Sequence, residues 1–405
     1  MLSIKFLLSL LLTAGTAELS GRVVDSEEAP VAGAIVVVST AKPRVGPATT
    51  CPSCYRDCTK RTVTDENGAF SITELSDQLL FSLAAGGAGY QGQVSEHFDP
   101  EQNPEIQFEL EPIQRTEKIE VLRGRVINLD GDPIAGAQVR PHTIFRNNGI
   151  GGGSDRSVTP LTLTDAEGVF EMSVGNHIEW IDLRINASAY APAQTRWTRA
   201  GDDGLTISLG SGAGLRGKLV FRDKPVAGVE VGLVQKIRMM GNIVTPQEVY
   251  TDEAGVFTFD QLPPGLDYAV YTHTGQAASA VLPLSLIEAP RHGEMADLGE
   301  IAAVEPRRLL VTVTTSDGSP LPKDSYVYIG RRYGWRGSQL PLEQKTTSKV
   351  SILDAAPEVY EVGVRTKGYT VLETQPKLNV DLNRSYSVDA RRESSVVLIL
   401  EPTGD

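Results

Sequence analysis

Apolar and polar residues alternate in short stretches along this chain, and glycine, proline and aspartate interrupt the alternation at regular places. One stretch places Leu122, Gly124 and Val126 on the same side of an extended chain, and a period of two is typical of a β-strand with one buried face. The following turn contains Asp130 and Pro133, and because proline cannot donate a ladder hydrogen bond, the strand is predicted to end there. This pattern recurs without a convincing helical period after the N-terminal segment, which predicts an all-β protein.

A longer phrase recurs along the chain and divides it into similar parts. Each clear copy reads Gly-x-Val or Gly-x-Leu, followed by Pro-Val-Ala-Gly or Pro-Ile-Ala-Gly. The clear copies begin at Gly21, Gly124 and Gly217, and a divergent fourth copy begins at Val311. The starts are 103, 93 and 94 positions apart by subtraction of those numbers, which is the length of one small all-β domain. We therefore predict four tandem antiparallel β-sandwich domains of the Ig-like or transthyretin-like kind.

A second phrase, Thr-Asp-x-x-Gly-x-Phe, follows in each of the first three copies. It begins at Thr64, Thr164 and Thr251. An aspartate side chain can accept hydrogen bonds from backbone N–H groups further along a turn, and glycine adopts positive φ at little cost. The phenylalanine after the glycine is predicted to point into the core at the start of the next strand.

Charged or glycine-rich linkers interrupt the pattern and set the predicted domain boundaries. The linkers are short, so a semi-rigid string of domains is expected. After an N-terminal segment over 1–17, the predicted domains span 18–112, 119–209, 213–303 and 307–402.

The N-terminal segment resembles an export signal. Lys5 precedes a short apolar run, and small residues ending at Ala17 suggest cleavage after that residue. No later stretch has the 18 or more consecutive apolar residues that predict a membrane span. The mature protein is therefore expected to be secreted, periplasmic or on the cell surface, with no membrane span.

Composition and charge narrow the possible partners. The chain has 405 residues, 40% of them hydrophobic, and a net charge of -13 that is spread along its length. Binding to nucleic acid requires clustered lysine and arginine, so nucleic acid is not an expected partner. The acidity is interpreted mainly as favouring solubility, with recruitment of cations or basic partners as the lesser alternative.

Together, the two recurring phrases resemble the carboxypeptidase regulatory-like domain, a transthyretin-like β-sandwich related in fold to starch-binding domains. The resemblance covers almost the whole mature chain, but it is weaker in the fourth copy, where Lys323 replaces the second glycine of the first phrase. In carboxypeptidases this domain accompanies the catalytic domain and carries no catalysis, and in bacterial secreted proteins it occurs in strings. The resemblance therefore implies a non-catalytic binding or spacer module.

All three cysteines lie in one loop of the first copy, at Cys51, Cys54 and Cys58. In an exported protein a disulfide is the first expectation, and an odd thiol would remain to pair with another chain. A metal site is the alternative, because Cys-x-x-Cys has the spacing of two zinc ligands and Cys58 would be a third; the fourth would be Asp57, His97 or a water. Redox exchange is a third hypothesis, without a thioredoxin-like pattern to support it.

Exposed aromatic side chains are the second candidate feature, since they could stack on sugar rings. The best cluster runs from Arg331 to Arg336 in the fourth copy, and Trp197, flanked by Arg196 and Arg199, is another. The alternative interpretation is that these rings pack over a sheet edge. The predicted ligand-binding residues are Arg332, Tyr333, Trp335, Arg336 and Trp197.

These observations favour a non-catalytic, secreted, multidomain binding or spacer protein. Its expected partner is a polysaccharide or another envelope or extracellular protein, and no cofactor is expected. The sequence contains no His-Glu-x-x-His and no Gly-x-Ser-x-Gly, so no catalytic residue is assigned. Two alternatives stay open: a metal- or redox-active protein that uses the cysteine loop, and an enzyme whose site is built from loops.

Overall fold

The computed structural model describes residues 16–113, 118–146, 149–152, 155–236, 247–272, 280–331, 338–380 and 385–403. Within these ranges the regular structure is β-strand, apart from one short 3-10 helix, Arg56–Thr59. The strands form eight sheets, two for each of the four repeats. The prediction of tandem β-sandwiches is therefore confirmed, while the individual domain boundaries stay predictions.

The first sandwich packs the sheet β4-β1-β7 against the sheet β3-β2-β5-β6. Its strands are β1 (Thr16–Asp25), β2 (Ile35–Pro43), β3 (Arg61–Val63), β4 (Ala69–Ser76), β5 (Leu79–Gly86), β6 (Gln93–Val94) and β7 (Glu105–Leu110). The predicted cleavage after Ala17 would remove only the first two residues of β1, and the fully buried Leu19 would remain.

The second sandwich consists of the sheet β12-β8-β16 and a larger sheet, β10-β9-β13-β14, to which β11 and β15 add as short strands. Its strands are β8 (Ile119–Asn128), β9 (Gln138–Arg146), β10 (Gly149–Gly152), β11 (Thr162–Leu163), β12 (Val169–Gly175), β13 (Ile178–Asn186), β14 (Ala193–Gln194), β15 (Thr198–Arg199) and β16 (Leu205–Leu209).

The third sandwich consists of β18-β17-β21, with β24 also paired to β17, and of β20-β19-β22-β23. Its strands are β17 (Ala213–Phe221), β18 (Lys224–Pro225), β19 (Glu230–Gln235), β20 (Gln247–Tyr250), β21 (Val256–Leu262), β22 (Asp267–Thr272), β23 (Ser285–Glu288) and β24 (Met295–Ala302).

The fourth sandwich consists of β28-β25-β32-β30 and β27-β26-β29-β31. Its strands are β25 (Arg307–Thr315), β26 (Tyr326–Gly330), β27 (Ser338–Pro341), β28 (Thr347–Ala355), β29 (Val359–Arg365), β30 (Tyr369–Gln375), β31 (Tyr386–Asp389) and β32 (Ser395–Pro402).

In every sandwich the first strand pairs in parallel with the last. These pairs are β1 with β7, β8 with β16, β17 with β24, and β25 with β32. Other pairings in the described sheets are antiparallel. Because the first and last strands run in the same direction, the chain enters each sandwich at one end and leaves it at the opposite end. A ten-residue strand such as β8 spans roughly 33 Å at about 3.3 Å per residue.

The two recurring phrases bond to each other, which explains why they recur together. The Thr164 hydroxyl donates to the carbonyl of Ile134 (2.6 Å) and accepts from the N–H of Ala137 (2.8 Å). The Asp165 carboxylate accepts from the N–H of Val169 at 2.8 Å. The same bonds form around Thr64 and Asp65 in the first sandwich, and most of them around Thr251 and Asp252 in the third.

The phenylalanine that ends the second phrase is buried, as the sequence predicts. Phe70, Phe170 and Phe257 are 6%, 2% and 1% exposed, and each belongs to the apolar core of its own sandwich. In the fourth sandwich, which lacks the second phrase, Leu309, Ile329 and Leu398 belong to the corresponding core.

The chain divides into two compact units, and Gly210 and Ser211 lie on either side of the main division. In the first unit, the first and second sandwiches meet through an apolar contact. Leu161 and Leu163 of the second sandwich, 4% and 5% exposed, pack against Ile35 and Val37 of the first. The carbonyl of Leu161 also accepts a hydrogen bond from the N–H of Gly92 at 2.8 Å. We call this contact the leucine junction.

In the second unit, one arginine joins the third and fourth sandwiches. Arg331 forms an ion pair with Glu358 in its own sandwich and donates to the carbonyl of Thr272 in the third. Its guanidinium lies 5.1 Å from the ring centroid of Tyr271. The Glu358 carboxylate also accepts from the N–H of Leu284 in the third sandwich at 2.6 Å. We call this arrangement the arginine junction.

Candidate binding site

Trp197 belongs to an aromatic cluster on the outer face of the second sandwich. Its ring stacks on Phe145 at 4.3 Å between centroids with an interplanar angle of 27°. The Trp180 ring meets Trp197 edge-on, at 6.5 Å and 81°. Phe145 and Trp180 are cross-strand neighbours on β9 and β13. Trp197 itself is 57% exposed, whereas Phe145 and Trp180 are half-buried, so the cluster presents mainly the Trp197 ring to solvent.

The register of the sheet explains why these rings share a face. Successive residues on a strand point to opposite faces. Ile144 and Ile181 point into the core, so their neighbours Phe145 and Trp180 point outward. On the other side of Trp180, Arg199 is its cross-strand partner on β15. Arg199, Trp180 and Phe145 therefore form one row across the outer face of the sheet, a row that sequence spacing alone did not reveal.

A buried carboxylate holds the backbone of Trp197. Asp182 is 8% exposed, and its Oδ1 atom accepts a hydrogen bond from the N–H of Trp197 at 2.8 Å. The neighbouring Thr195 hydroxyl accepts from the N–H of Leu183 at 2.9 Å. These bonds tie the segment that carries Trp197 to the central strand β13.

Trp197 has a left-handed backbone conformation, with φ of 52°. For a bulky side chain this conformation is unusual and costs on the order of 1–2 kcal/mol. Strain of this kind persists only where surrounding contacts maintain it, and it concentrates at functional sites. The Asp182 bond and the ring stack on Phe145 are contacts that maintain it here.

The other predicted aromatic site lies outside the described residues. Arg332, Tyr333, Trp335 and Arg336 all belong to the range 332–337, which the structure does not describe. Arg331, the first residue of that sequence cluster, is described, and its side chain is only 7% exposed in the arginine junction. It therefore contacts the neighbouring sandwich rather than an exposed ligand.

The fourth sandwich has a polar groove that sequence reasoning did not identify. Its volume is about 490 Å³. Four tyrosines contribute to its lining, together with charged and hydroxyl side chains; the tyrosines are Tyr326, Tyr328, Tyr369 and Tyr386. They are separated in sequence and come together only through strand pairing, so no local motif marks them.

The structure confirms a disulfide in the cysteine loop, between Cys51 and Cys54. Cys58 is the free thiol; it is 1% exposed and packs in the core of the first sandwich. Its Sγ atom lies 3.4 Å from the carbonyl oxygen of Pro52. In this conformation a partner chain has no access to Cys58, which disfavours an intermolecular bridge.

The metal alternative finds no support in the described residues. A metal site would require the sulfur atoms of all three cysteines, and the disulfide occupies those of Cys51 and Cys54. Asp57 forms an ion pair with Lys60 at 2.6 Å, and His97 bonds to the hydroxyl of Thr40 at 3.1 Å. Across the described part of the chain, no group of three or more His, Cys, Asp or Glu side chains is arranged to hold a metal ion.

Cys58 is expected to resist alkylation in the folded protein. Burial, with a smaller contribution from Asp57, raises the pKa of its thiol to about 12, so the reactive thiolate is scarce at pH 8. Intact mass after iodoacetamide treatment at pH 8 should show no adduct on the native protein. One adduct is expected after unfolding, and three after unfolding with reduction. A native adduct would contradict the buried position of Cys58.

Comparisons with known proteins leave the family unassigned. No protein family matches the sequence, and no curated protein matches it. Solved structures that resemble the chain include a streptococcal ancillary pilin (14% identity, 71% of this chain and 100% of that chain, TM-score 0.25). Another is BcpA, the major pilin subunit of Bacillus cereus (12% identity, 72% and 100%, TM-score 0.20).

A third similar structure, the Bacillus anthracis TIE protein, has 13% identity and a TM-score of 0.21, with 97% of this chain and 75% of that chain covered. TM-scores this low support no inference about fold or function. The resemblance to the carboxypeptidase regulatory-like domain stays a prediction. No helix in the described residues has the length and apolar character needed to cross a membrane.

Proposed function

We propose that the protein is a non-catalytic extracellular spacer that carries a binding surface on a semi-rigid series of β-sandwiches. The observation that carries this proposal is the parallel pairing of the first and last strands in every sandwich. When domains follow one another along a chain, a domain whose two chain ends lie at opposite poles adds the most length to the chain.

The two junctions support the spacer role. A flexible linker would allow neighbouring domains to move independently. In the first unit, the leucine junction buries two leucines against the neighbouring sandwich, and a Cβ on Gly136 would lie 2.4 Å from a methyl group of Val37. In the second, the arginine junction ties two sandwiches with charged hydrogen bonds. Both contacts oppose bending between the sandwiches that they join.

The partner proposed for the spacer is extracellular, either a polysaccharide or another envelope protein. Support for an extracellular location comes from the signal-like N-terminus and from the Cys51–Cys54 disulfide, which persists in oxidising compartments. The resemblance to carboxypeptidase regulatory-like strings is consistent with the same role. The redox alternative has the disulfide in its favour but lacks an accessible third thiol.

Fractionation of the native source cells tests the location. The protein should be recovered from the medium or cell surface with Glu18 as its first residue. Recovery from the cytoplasm with the N-terminal segment intact would contradict the proposal.

A further inference from the structure

We propose that the aromatic cluster of Phe145, Trp180 and Trp197, together with Arg199, is a binding site for an acidic polysaccharide built from pyranose rings. The proposal deepens the proposed function, on whose polysaccharide partner it rests, because it assigns a ligand class to one surface of the second sandwich. It rests on the contacts of these four residues and not on any relative of the chain.

The Trp197 ring is both held in place and exposed to solvent. One face lies against Phe145, and the side chain is still 57% exposed. Tryptophan is rarely left this exposed when its role is to fill a core. Here the stack on Phe145 holds the ring, and the bond from the backbone N–H of Trp197 to Asp182 holds the segment that carries it, so little rotamer freedom is lost when a ligand binds.

The exposed face of the Trp197 ring has the chemistry that a sugar ring stacks on. An aromatic face carries partial negative charge, and the C–H groups on one side of a pyranose ring carry partial positive charge. A flat sugar ring can therefore lie on Trp197. An edge-on neighbour such as Trp180 widens the apolar floor without covering it.

Arg199 adds a positive charge beside the aromatic cluster. Arg199 lies in the same cross-strand row as Trp180, and its side chain is exposed. A guanidinium pairs well with a carboxylate through two parallel hydrogen bonds. Asp182, an acidic group that contacts the cluster, is buried and directed to the backbone of Trp197. In a chain of net charge -13, this local cation favours an anionic ligand over a neutral one.

The left-handed backbone at Trp197 supports a binding role over a packing role. A packing residue could occupy a relaxed position in the same loop, whereas a strained one is maintained by dedicated contacts. Substitution by glycine, which tolerates positive φ, separates the two roles. If Trp197 serves binding, Trp197→Gly keeps the thermal midpoint of the protein within a few degrees while binding is lost.

The test uses the full chain and two polymers, polygalacturonate as the acidic polysaccharide and dextran as the neutral one. Affinity electrophoresis and titration calorimetry should show binding to polygalacturonate at least tenfold tighter than to dextran. Trp197→Gly should weaken polygalacturonate binding at least tenfold, while Trp197→Phe retains most of it. Arg199→Gln should weaken it several-fold and reduce its dependence on salt.

Leu129→Ala is the matched control, because it removes an apolar side chain of the same sandwich that is 62% exposed, and it should leave binding unchanged. Absence of binding to polygalacturonate by the wild-type chain would overturn the proposal, as would equal binding by Trp197→Gly. Equal affinity for dextran, with no effect of Arg199→Gln, would overturn the acidic ligand class. If the Trp197 variants fail to fold, the affinity of Arg199→Gln for polygalacturonate and the salt dependence of that affinity still test the proposal. None of these results alters the geometry of the junctions, so the spacer role is judged separately.

Discussion

Arg331→Met should destabilise the second unit by about 3–5 kcal/mol, the usual cost of breaking a buried ion pair by removing one partner. The Arg331 and Glu358 side chains are 7% and 14% exposed. Methionine fills similar space but leaves the Glu358 carboxylate without its guanidinium. The carbonyl of Thr272, in the neighbouring sandwich, also loses its donor. The effect should therefore extend across the junction rather than remain local.

Hydrogen exchange on the full chain measures this effect for each sandwich, which matters because a multidomain protein does not unfold in one step. Amides of β22 and β26 should lose protection together in Arg331→Met. The matched control is Arg391→Met, which removes a pair with Asp389 in the same sandwich; Arg391 is 58% exposed. An exposed pair contributes about 0–1 kcal/mol. Equal losses in the two variants would contradict the junction.

The second large effect is expected from Gly168→Ala in the turn of the second phrase. Gly168 has φ of 76°, and a Cβ there would lie 2.5 Å from the carbonyl oxygen of Val126 and 3.2 Å from Cβ of Pro133. Backbone has to move to relieve the first contact. The conformational strain and the overpacking together should cost roughly 3 kcal/mol.

Gly131→Ala provides the comparison within the same sandwich. Gly131 has φ of 92°, but a Cβ there meets nothing within 4 Å. Alanine at this position therefore has the backbone strain of positive φ but no steric clash, and the free energy of unfolding should fall by about 1 kcal/mol. Urea unfolding of both variants, followed by protection of β8 and β12, measures the difference. A Gly131→Ala variant as unstable as Gly168→Ala would show that the contact with Val126 has no energetic role.

Local chemistry made much of the fold predictable from the sequence. The Pro-Val-Ala-Gly and Thr-Asp-x-x-Gly-x-Phe phrases each encode a turn and the start of a strand, and their bonds lie within one sandwich. Burial of Phe170 and the role of Asp165 follow from this short-range pattern. The sequence predicts a disulfide, but three cysteines allow three single bridges, and only the structure identifies the pair as Cys51 and Cys54.

Contacts between distant residues were not predictable. Arg331 looked like part of an exposed cluster, yet it bonds to Thr272 in another sandwich. Phe145 and Trp180 join Trp197 only through the pairing of β9 with β13, which contains two irregularities of register. A one-residue change in register would turn a ring to the other face. The parallel pairing of the first and last strands likewise depends on the path of the chain through a whole domain, so no short motif predicts it.

The spacer account requires that the two sandwiches within each unit are held in a fixed arrangement, and a distance distribution measured in the first unit tests this most directly. Spin labels at Val94→Cys in the first sandwich and Leu129→Cys in the second use exposed positions of one unit, while the buried Cys58 stays unlabelled. Pulsed electron spin resonance should give one narrow distance distribution. Leu163→Asp, which places a charge in the leucine junction, should broaden it. A distribution that is already broad without Leu163→Asp, and unchanged by it, would contradict the spacer account.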